Sequence, residues 1–160
     1  MKKKVFVLIC CALVILLFAL YGVFGMKQRT ADGVTRCLLV GCDRFVSMPG
    51  TEPASANNVD TMEALLADFL PEGTEISRQV NGPGSTEGFR QLAADTFREA
   101  KQADTSLIYL STHGVLKTEA EEQEMFLLLS DGETEGKLSP EEFRNALEKI
   151  PGRKIGRAHV

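Results

Sequence analysis

The spacing of apolar residues changes at regular intervals along the chain, and it predicts alternating strands and helices. Two short, almost wholly apolar runs, 37–42 and 106–110, are typical of strands buried in a parallel sheet. The more polar stretch 76–80 is predicted to be an edge strand. Three segments have apolar residues at helical spacing and are predicted to be helices: 58–70, 86–100 and 140–150. This alternation predicts an α/β fold with a parallel sheet and helices on both faces.

Each predicted helix follows a residue that favours a helix start. Asn57 is a favourable N-cap with Asp60 three residues later, and Ser85 precedes the second helix. Residues 139–142, Ser-Pro-Glu-Glu, combine an N-cap, a proline at the first helical position and a capping-box glutamate. The local sequence therefore predicts where all three helices begin.

Residues 5–24 form an apolar stretch without a charged residue, preceded by the basic start 1–4. About 20 such residues span the hydrocarbon core of a bilayer. We predict one transmembrane helix that anchors the chain and leaves the C-terminal domain outside the cytoplasm. Cleavage as a signal peptide is the alternative, and it would leave a secreted domain. A linker, 25–35, would join this segment to the domain 36–154.

Charge is distributed unevenly in the chain, whose formal net charge is −4. Residues 1–30 contain five of the 18 Lys and Arg residues and none of the 22 Asp and Glu residues, so the remainder carries a net charge of −9. Binding of nucleic acid requires a basic face. The charge pattern therefore predicts no nucleic-acid partner.

Four cysteines occur in the sequence, and no two of them form a Cys-x-x-Cys pair. Cys10 and Cys11 lie in the apolar stretch. Cys37 and Cys42 flank the first apolar run at an odd spacing, which places them on opposite faces of a strand. We therefore predict no disulfide between them, and the pattern signals neither a zinc site nor a redox dithiol. No metal or other cofactor is predicted.

A histidine and a glycine follow the second apolar run, in residues 111–114, Ser-Thr-His-Gly. Parallel α/β sheets bind ligands beyond the carboxyl ends of their strands. A histidine there can act as a general base, because its pKa is close to neutrality. Gly114 has no side chain, so its N–H can approach a substrate carbonyl and help to form an oxyanion hole. The alternative is a turn in which His113 only hydrogen-bonds a loop.

Three stretches in this order resemble the caspase-like cysteine peptidases, which include caspases, metacaspases and the clostripain, gingipain and legumain relatives. They are 37–45 (Cys-Leu-Leu-Val-Gly-Cys-Asp-Arg-Phe), 57–60 (Asn-Asn-Val-Asp) and 108–114 (Ile-Tyr-Leu-Ser-Thr-His-Gly). The resemblance covers residues 36–154. It implies an endopeptidase acting on a peptide or protein substrate, with His113 as catalytic base. It also implies a nucleophilic cysteine beyond the strand that follows the last predicted helix.

No cysteine follows that helix in the sequence. The resemblance therefore implies an N-terminal fragment that stops before the nucleophile, with an incomplete sheet whose third strand has an open edge. The last residues, 155–160 (Ile-Gly-Arg-Ala-His-Val), match the translation of a common sequencing adapter, and we interpret them as a non-native tail. This 160-residue chain is then expected to be inactive.

The residues that bind the substrate side chain are predicted from the resemblance alone. In related enzymes a residue after the first strand can contact the side chain before the cleaved bond, and Asp43 and Arg44 occupy that position. Because the two carry opposite charges, acidic and basic preferences both remain open. A non-catalytic, membrane-anchored binding or scaffold module of the same fold is the alternative to an enzyme.

Residues 131–142 also fit the spacing of an EF-hand calcium loop. Asp131, Glu133 and Glu135 take the first, third and fifth positions of such a loop. Glu142 takes the twelfth, although the third and fifth positions favour the shorter Asp or Asn. Calcium binding is therefore a third hypothesis, set against an acidic loop that leads into a well-capped helix.

Overall fold

A computed structural model of the chain describes residues 33–48, 54–119 and 122–159. The predicted membrane segment 5–24 lies outside these ranges. Within them, no helix is both long enough and apolar enough to cross a bilayer.

The described residues form seven strands and three helices. In chain order these are β1 Thr35–Gly41, α1 Ala54–Phe69, β2 Glu75–Val80, α2 Thr86–Thr96, β3 Thr105–Ser111, β4 Gly114–Glu119, β5 Glu122–Ser130, β6 Glu135–Leu138, α3 Pro140–Glu148 and β7 Arg153–His159.

Four parallel strands form the main sheet, in the spatial order β2-β1-β3-β7. The central strand β1 is buried from residue 36 to residue 41, as its apolar run predicts. β2 lies at the edge with most of its residues exposed, so the prediction of an edge strand is confirmed.

Helices cover both faces of the main sheet. Leu38 and Val40 of β1 belong to a core cluster shared with α2 and α3, whereas Cys37 and Leu39 belong to a second cluster shared with α1. The helices contribute these buried side chains: Val59 and Leu66 from α1, Phe89 and Ala93 from α2, and Ala146 from α3. Burial of a whole Leu or Val side chain stabilises the fold by about 1.5–3 kcal/mol. The prediction of an α/β fold with a parallel sheet is therefore confirmed.

Two of the three predicted helix starts are confirmed by their caps. The Ser85 hydroxyl accepts a hydrogen bond from the Gly88 N–H at 3.1 Å. Ser139 and Glu142 form a reciprocal capping box, at 3.1 Å and 2.9 Å. The third prediction is wrong, because α1 begins three residues before Asn57 and contains it.

A second, antiparallel sheet follows the main one, in the order β4-β5-β6. The sequence indicates only its apolar segment 126–129, which lies within β5. Leu127, Leu129 and Leu138 of this sheet are buried in the cluster shared with α2 and α3. The small sheet therefore extends the core and continues the chain directly from the His-Gly stretch.

The strand β7 lies beside β3 in parallel, with its register running from Thr105↔Arg153 to Ser111↔His159. The expectation that the third strand has an open edge is therefore wrong. All seven residues of β7 are exposed. A Cβ at Gly156 would lie 2.3 Å from Leu147 Cδ1, so α3 packs closely on this strand. The origin assigned to residues 155–160 stays a prediction.

Candidate functional site

The carboxyl ends of β1 and β3 lie side by side at the point where the strand order reverses. From β1 the chain passes to β2 on one side and returns to β3 on the other. Such a switch point is where parallel α/β sheets bind ligands. The Cys42 N–H donates to the Ser111 carbonyl at 3.0 Å and holds the two strand ends together. The predicted site residues all follow one of these two strands.

His113 is exposed, although the two residues before it are buried. The Thr112 hydroxyl donates to the carbonyl of Leu128, and the Leu128 N–H donates to the His113 carbonyl at 2.8 Å. These bonds fix the backbone on both sides of the histidine. The imidazole meets the ring of Phe45 edge-on, with centroids 5.1 Å apart and planes inclined by 70°. The imidazole is thus directed to the switch point and open to solvent.

Gly114 is the first residue of β4 and is exposed. Opposite residues of antiparallel strands alternate between hydrogen-bonded and non-hydrogen-bonded pairs. The Leu128 N–H donates to the His113 carbonyl, so the next pair along β4 and β5, Gly114 and Leu127, is a non-hydrogen-bonded one. In such a pair the N–H groups point away from the partner strand. β4 is at the edge of its sheet. The Gly114 N–H is therefore directed away from β5, next to His113.

Asp43 is buried and holds the start of α1. Its two carboxylate oxygens accept hydrogen bonds from the N–H groups of Ser55 and Ala56, each at 2.7 Å. A carboxylate at a helix N-terminus satisfies orphan N–H groups and complements the helix dipole. This contact explains why α1 begins before Asn57, because the capping group comes from the end of β1. The carboxylate of Asp43, which was predicted to bind substrate, therefore already accepts hydrogen bonds from the N-terminus of α1.

Arg44 differs from its neighbour because it is exposed. Its carbonyl accepts a hydrogen bond from the Ser130 hydroxyl, which fixes the backbone. A Cβ built at Gly132 would lie 3.4 Å from the Arg44 Cβ, so the base of the arginine side chain passes this glycine. Of the two residues predicted to bind substrate, Arg44 is therefore the one whose charged group faces solvent.

Asn81 belongs to the site, although the sequence indicates only a turn there. Its side-chain oxygen accepts the N–H groups of both Asp43 and Arg44, at 3.1 Å each. Its own N–H donates to the Gly41 carbonyl at 2.7 Å. Asn81 has a φ of 55°, in the left-handed region that asparagine tolerates better than most residues. An Asn-Gly pair directly after a strand is the sequence signal that marks this conformation.

A cavity of about 440 Å³ lies between the segment after Phe45 and the small sheet. The strand register places His113, Val115 and Leu128 on the same face of this sheet. The cavity is lined by Ser47, Met48, Val115, Leu128, Glu135, Gly136 and Lys137. It therefore lies on the face of the sheet that carries the histidine, and both apolar and polar side chains line it.

The two described cysteines are free, buried and on opposite faces of the sheet, as their spacing predicts. Burial raises the pKa of the Cys37 thiol to about 11. Burial also raises the pKa of the Cys42 thiol. A nucleophilic cysteine reacts as the thiolate, and a raised pKa disfavours that form. Neither residue has the environment of a partner for His113.

The acidic residues of the EF-hand-like loop do not converge on a common point. Asp131 accepts hydrogen bonds from the N–H groups of Glu133 and Thr134, and these bonds, led by that from Thr134, lower its pKa. Glu135 accepts from Ser47 instead, and Glu142 closes the capping box. Among residues 33–48, 54–119 and 122–159, no group of three or more His, Cys, Asp or Glu side chains is placed to hold a metal ion.

The chain matches no family model and no curated protein. Among solved structures it is similar to protein GSU0716 from Geobacter sulfurreducens, a structural genomics target, with a TM-score of 0.60 and 15% sequence identity. The match covers 78% of this chain and 48% of that one, so the chain spans about half the length of that protein. At this identity the likeness shows the fold alone.

Proposed function

We propose that the chain carries the His-Gly half of a caspase-like cysteine endopeptidase. The observation that supports it best is the exposed imidazole of His113 beyond the end of β3, next to a Gly114 N–H that points away from β5. General base and oxyanion donor are the two parts that such a reaction needs besides the nucleophile. In this proposal residues 5–24 anchor the protein in a membrane and the domain lies outside the cytoplasm.

In the proposed reaction, His113 accepts the proton of a cysteine thiol, and the resulting thiolate attacks the carbonyl carbon of the peptide bond. The Gly114 N–H donates a hydrogen bond to the oxyanion that forms on the carbonyl oxygen. His113 then gives its proton to the departing amine, which leaves an acyl-cysteine. Water, deprotonated by His113, hydrolyses this thioester and restores the thiol.

The thiol in this proposal follows the strand beside β3, which is the position that β7 occupies. The carboxyl end of β7 adjoins that of β3, since the register pairs Ser111 with His159 and the Thr112 N–H donates to the His159 carbonyl at 3.0 Å. A residue directly after β7 is therefore a neighbour of His113 in space. Cys37 and Cys42 are buried in and just after β1, so we do not assign the nucleophile to either.

Substrate binding is proposed for the cavity on the His113 face of the small sheet and for Arg44. The cavity of about 440 Å³ has room for an apolar side chain of an extended peptide. Of the predicted pair, Arg44 has the solvent-facing charge, because the carboxylate of Asp43 accepts hydrogen bonds from α1. We therefore propose an acidic residue before the cleaved bond.

A non-catalytic binding or scaffold module of the same fold is the second candidate. The observation that favours it is that, in the part of the chain that the structure describes, both cysteines are buried with raised pKa values. The residue that the intact gene encodes directly beyond the strand after α3 separates the two candidates. A cysteine there supports the enzyme, and any residue without a nucleophilic group supports the scaffold.

The test of the enzyme proposal compares two variants of the intact gene product on peptide substrates. We expect His113→Ala to lower kcat by a factor of about 10²–10⁴, because general acid–base catalysis contributes about that much. Asp68→Ala is the control, since Asp68 is an exposed residue of α1 outside the candidate site, and it should leave turnover close to that of the unchanged protein. Turnover that survives His113→Ala would overturn the proposal.

A further inference from the structure

The side-chain oxygen of Asn81 holds two consecutive backbone N–H groups, those of Asp43 and Arg44, at 3.1 Å each. Both donors are N–H groups, so the amide must present its oxygen, and its NH2 end cannot replace it. The Asn81 backbone is itself tied to Gly41 at 2.7 Å. The residue therefore spans the end of β1 and fixes the direction in which the chain leaves that strand.

The next residue in that direction is Phe45, which is 4% exposed and whose ring meets the imidazole of His113 edge-on. The backbone position of Phe45 is fixed by the two residues before it. Their N–H groups donate to Asn81, and the Arg44 carbonyl accepts a hydrogen bond from the Ser130 hydroxyl. Edge-on aromatic pairs have a preferred geometry, so the position of one ring constrains the other.

We infer that Asn81 is a positioning residue, which sets the orientation of the His113 imidazole through the backbone of Asp43 and Arg44 and the ring of Phe45. Its importance for catalysis rests on the proposed peptidase function, whereas the contact itself does not. An imidazole that both accepts a proton from a thiol and returns it to an amine must be held in one orientation.

The test reads the imidazole directly in the full chain of 160 residues, by NMR of protein labelled at the histidine rings. Only two histidines occur, so His159→Gln assigns the signals of His113. Asn81→Gly is the main variant, because glycine keeps the left-handed backbone without strain but supplies no side-chain oxygen. We expect its His113 ring signals to move toward those of Phe45→Leu, in which the aromatic contact is absent.

Asn81→Asp is the rescue variant, because its carboxylate keeps an oxygen for both N–H groups and aspartate tolerates a positive φ. Its His113 signals should stay close to those of the unchanged protein. Ser85→Ala is the stability control, since it removes the cap of α2 and does not touch the segment after β1. Its His113 signals should not move.

Unmoved signals in Asn81→Gly, or equal movement in Ser85→Ala, would overturn the inference. If Asn81→Gly does not fold, Asn81→Ser is read in the same way, because its hydroxyl is too short to reach both N–H groups. This measurement needs no turnover. Movement of the signals in this chain, with no His113-dependent hydrolysis by the intact gene product, would therefore reject the peptidase and leave the positioning role in place.

Discussion

Arg36 donates to the carboxylate of Asp104 at 2.6 Å, and the two side chains are only 10% and 4% exposed. The pair joins β1 to the residue that precedes β3, at the opposite end of the sheet from His113. Asp104 also accepts hydrogen bonds from the N–H groups of Lys101 and Val34, each at 2.9 Å. The hydrogen bond from the Lys101 N–H, together with the one from the Val34 N–H and the charge of Arg36, holds the pKa of Asp104 below its usual range.

The first prediction concerns the pH dependence of stability. A carboxyl whose folded pKa is lowered stabilises the fold above its unfolded pKa, about 4, and this contribution is lost as pH falls through the folded value. Asp104→Asn should lower the free energy of unfolding by about 1.5–3 kcal/mol at pH 7, since hydrogen bonds to a charged group are lost. It should also reduce the loss of stability below pH 4. Chemical denaturation at several pH values measures both effects.

Asp68→Asn is the control for this prediction, because Asp68 is an exposed residue of α1. Its effect on the free energy of unfolding should stay within about 0.5 kcal/mol. If both substitutions lower the free energy of unfolding equally, the buried Arg36–Asp104 pair contributes no more to stability than an exposed carboxylate.

The second prediction concerns the cap that Asp43 provides for α1. Asp43→Ala removes the acceptor for the N–H groups of Ser55 and Ala56, so the first turn of the helix should open more readily. We expect a loss of about 0.5–2 kcal/mol in the free energy of unfolding, with faster hydrogen exchange at these two N–H groups. Arg44→Ala, at the exposed neighbouring position, should leave that exchange unchanged. Slow exchange in Asp43→Ala would contradict the assigned cap.

The third prediction concerns the reactivity of the buried thiols. Alkylation at pH 8 under native conditions should leave Cys37 and Cys42 unmodified, because both are fully buried and burial raises their pKa values. Mass spectrometry of the digested protein reads each cysteine separately, so Cys10 and Cys11 do not interfere. Denatured protein is the positive control. Rapid native alkylation of Cys42 would reopen it as a candidate nucleophile.

The fourth prediction follows from the raised pKa of Cys37. A thiol whose folded pKa is raised stabilises the fold below its unfolded pKa, about 8.5, and this contribution is lost as pH rises through the folded value. The free energy of unfolding should therefore fall between about pH 8.5 and the folded pKa of about 11. Cys37→Ala should lower the baseline, because it leaves a cavity, but should flatten this fall. An unchanged slope in the variant would assign the loss to other groups.

The fifth prediction separates the roles of His113 and Phe45 in stability. His113→Ala should cost less than about 1.5 kcal/mol, because the imidazole is exposed and its main contact is one edge-on aromatic pair. Phe45→Ala should cost about 3–5 kcal/mol, since the residue is 4% exposed and belongs to the core. Thermal or denaturant unfolding of both variants checks the difference. A large cost for His113→Ala would make the histidine a structural residue.

The parts of the fold that local sequence determines could be predicted. β1 and β3 are apolar runs because both of their faces are buried, and Ser85 and Ser139 cap helices that start within three residues of them. The start of α1 could not be predicted in this way. Its capping group, Asp43, lies at the end of another strand and is brought to the helix only by the tertiary fold.

The small sheet and the role of Asn81 could not be predicted from the sequence for a similar reason. β4 is an edge strand with only two large apolar residues, Val115 and Leu116, so its apolar pattern is weak. Its structure depends on its pairing with β5. His113 could be predicted because it directly follows an apolar strand. The role of Asn81 could not, since its oxygen acts on residues 38 and 37 positions earlier in the chain.

The pairing of β1 with β3 has a consequence for how the chain folds. β1 pairs with residues about 70 positions later, as the contact between Val34 and Asp104 shows, whereas β4, β5 and β6 pair with their immediate neighbours in sequence. Local hairpins form in about 1–10 µs, but distant parallel strands must first overcome the entropy of closing a long loop. We therefore expect the small sheet to become structured early, and Phe45 to reach His113 only when the two central strands have docked.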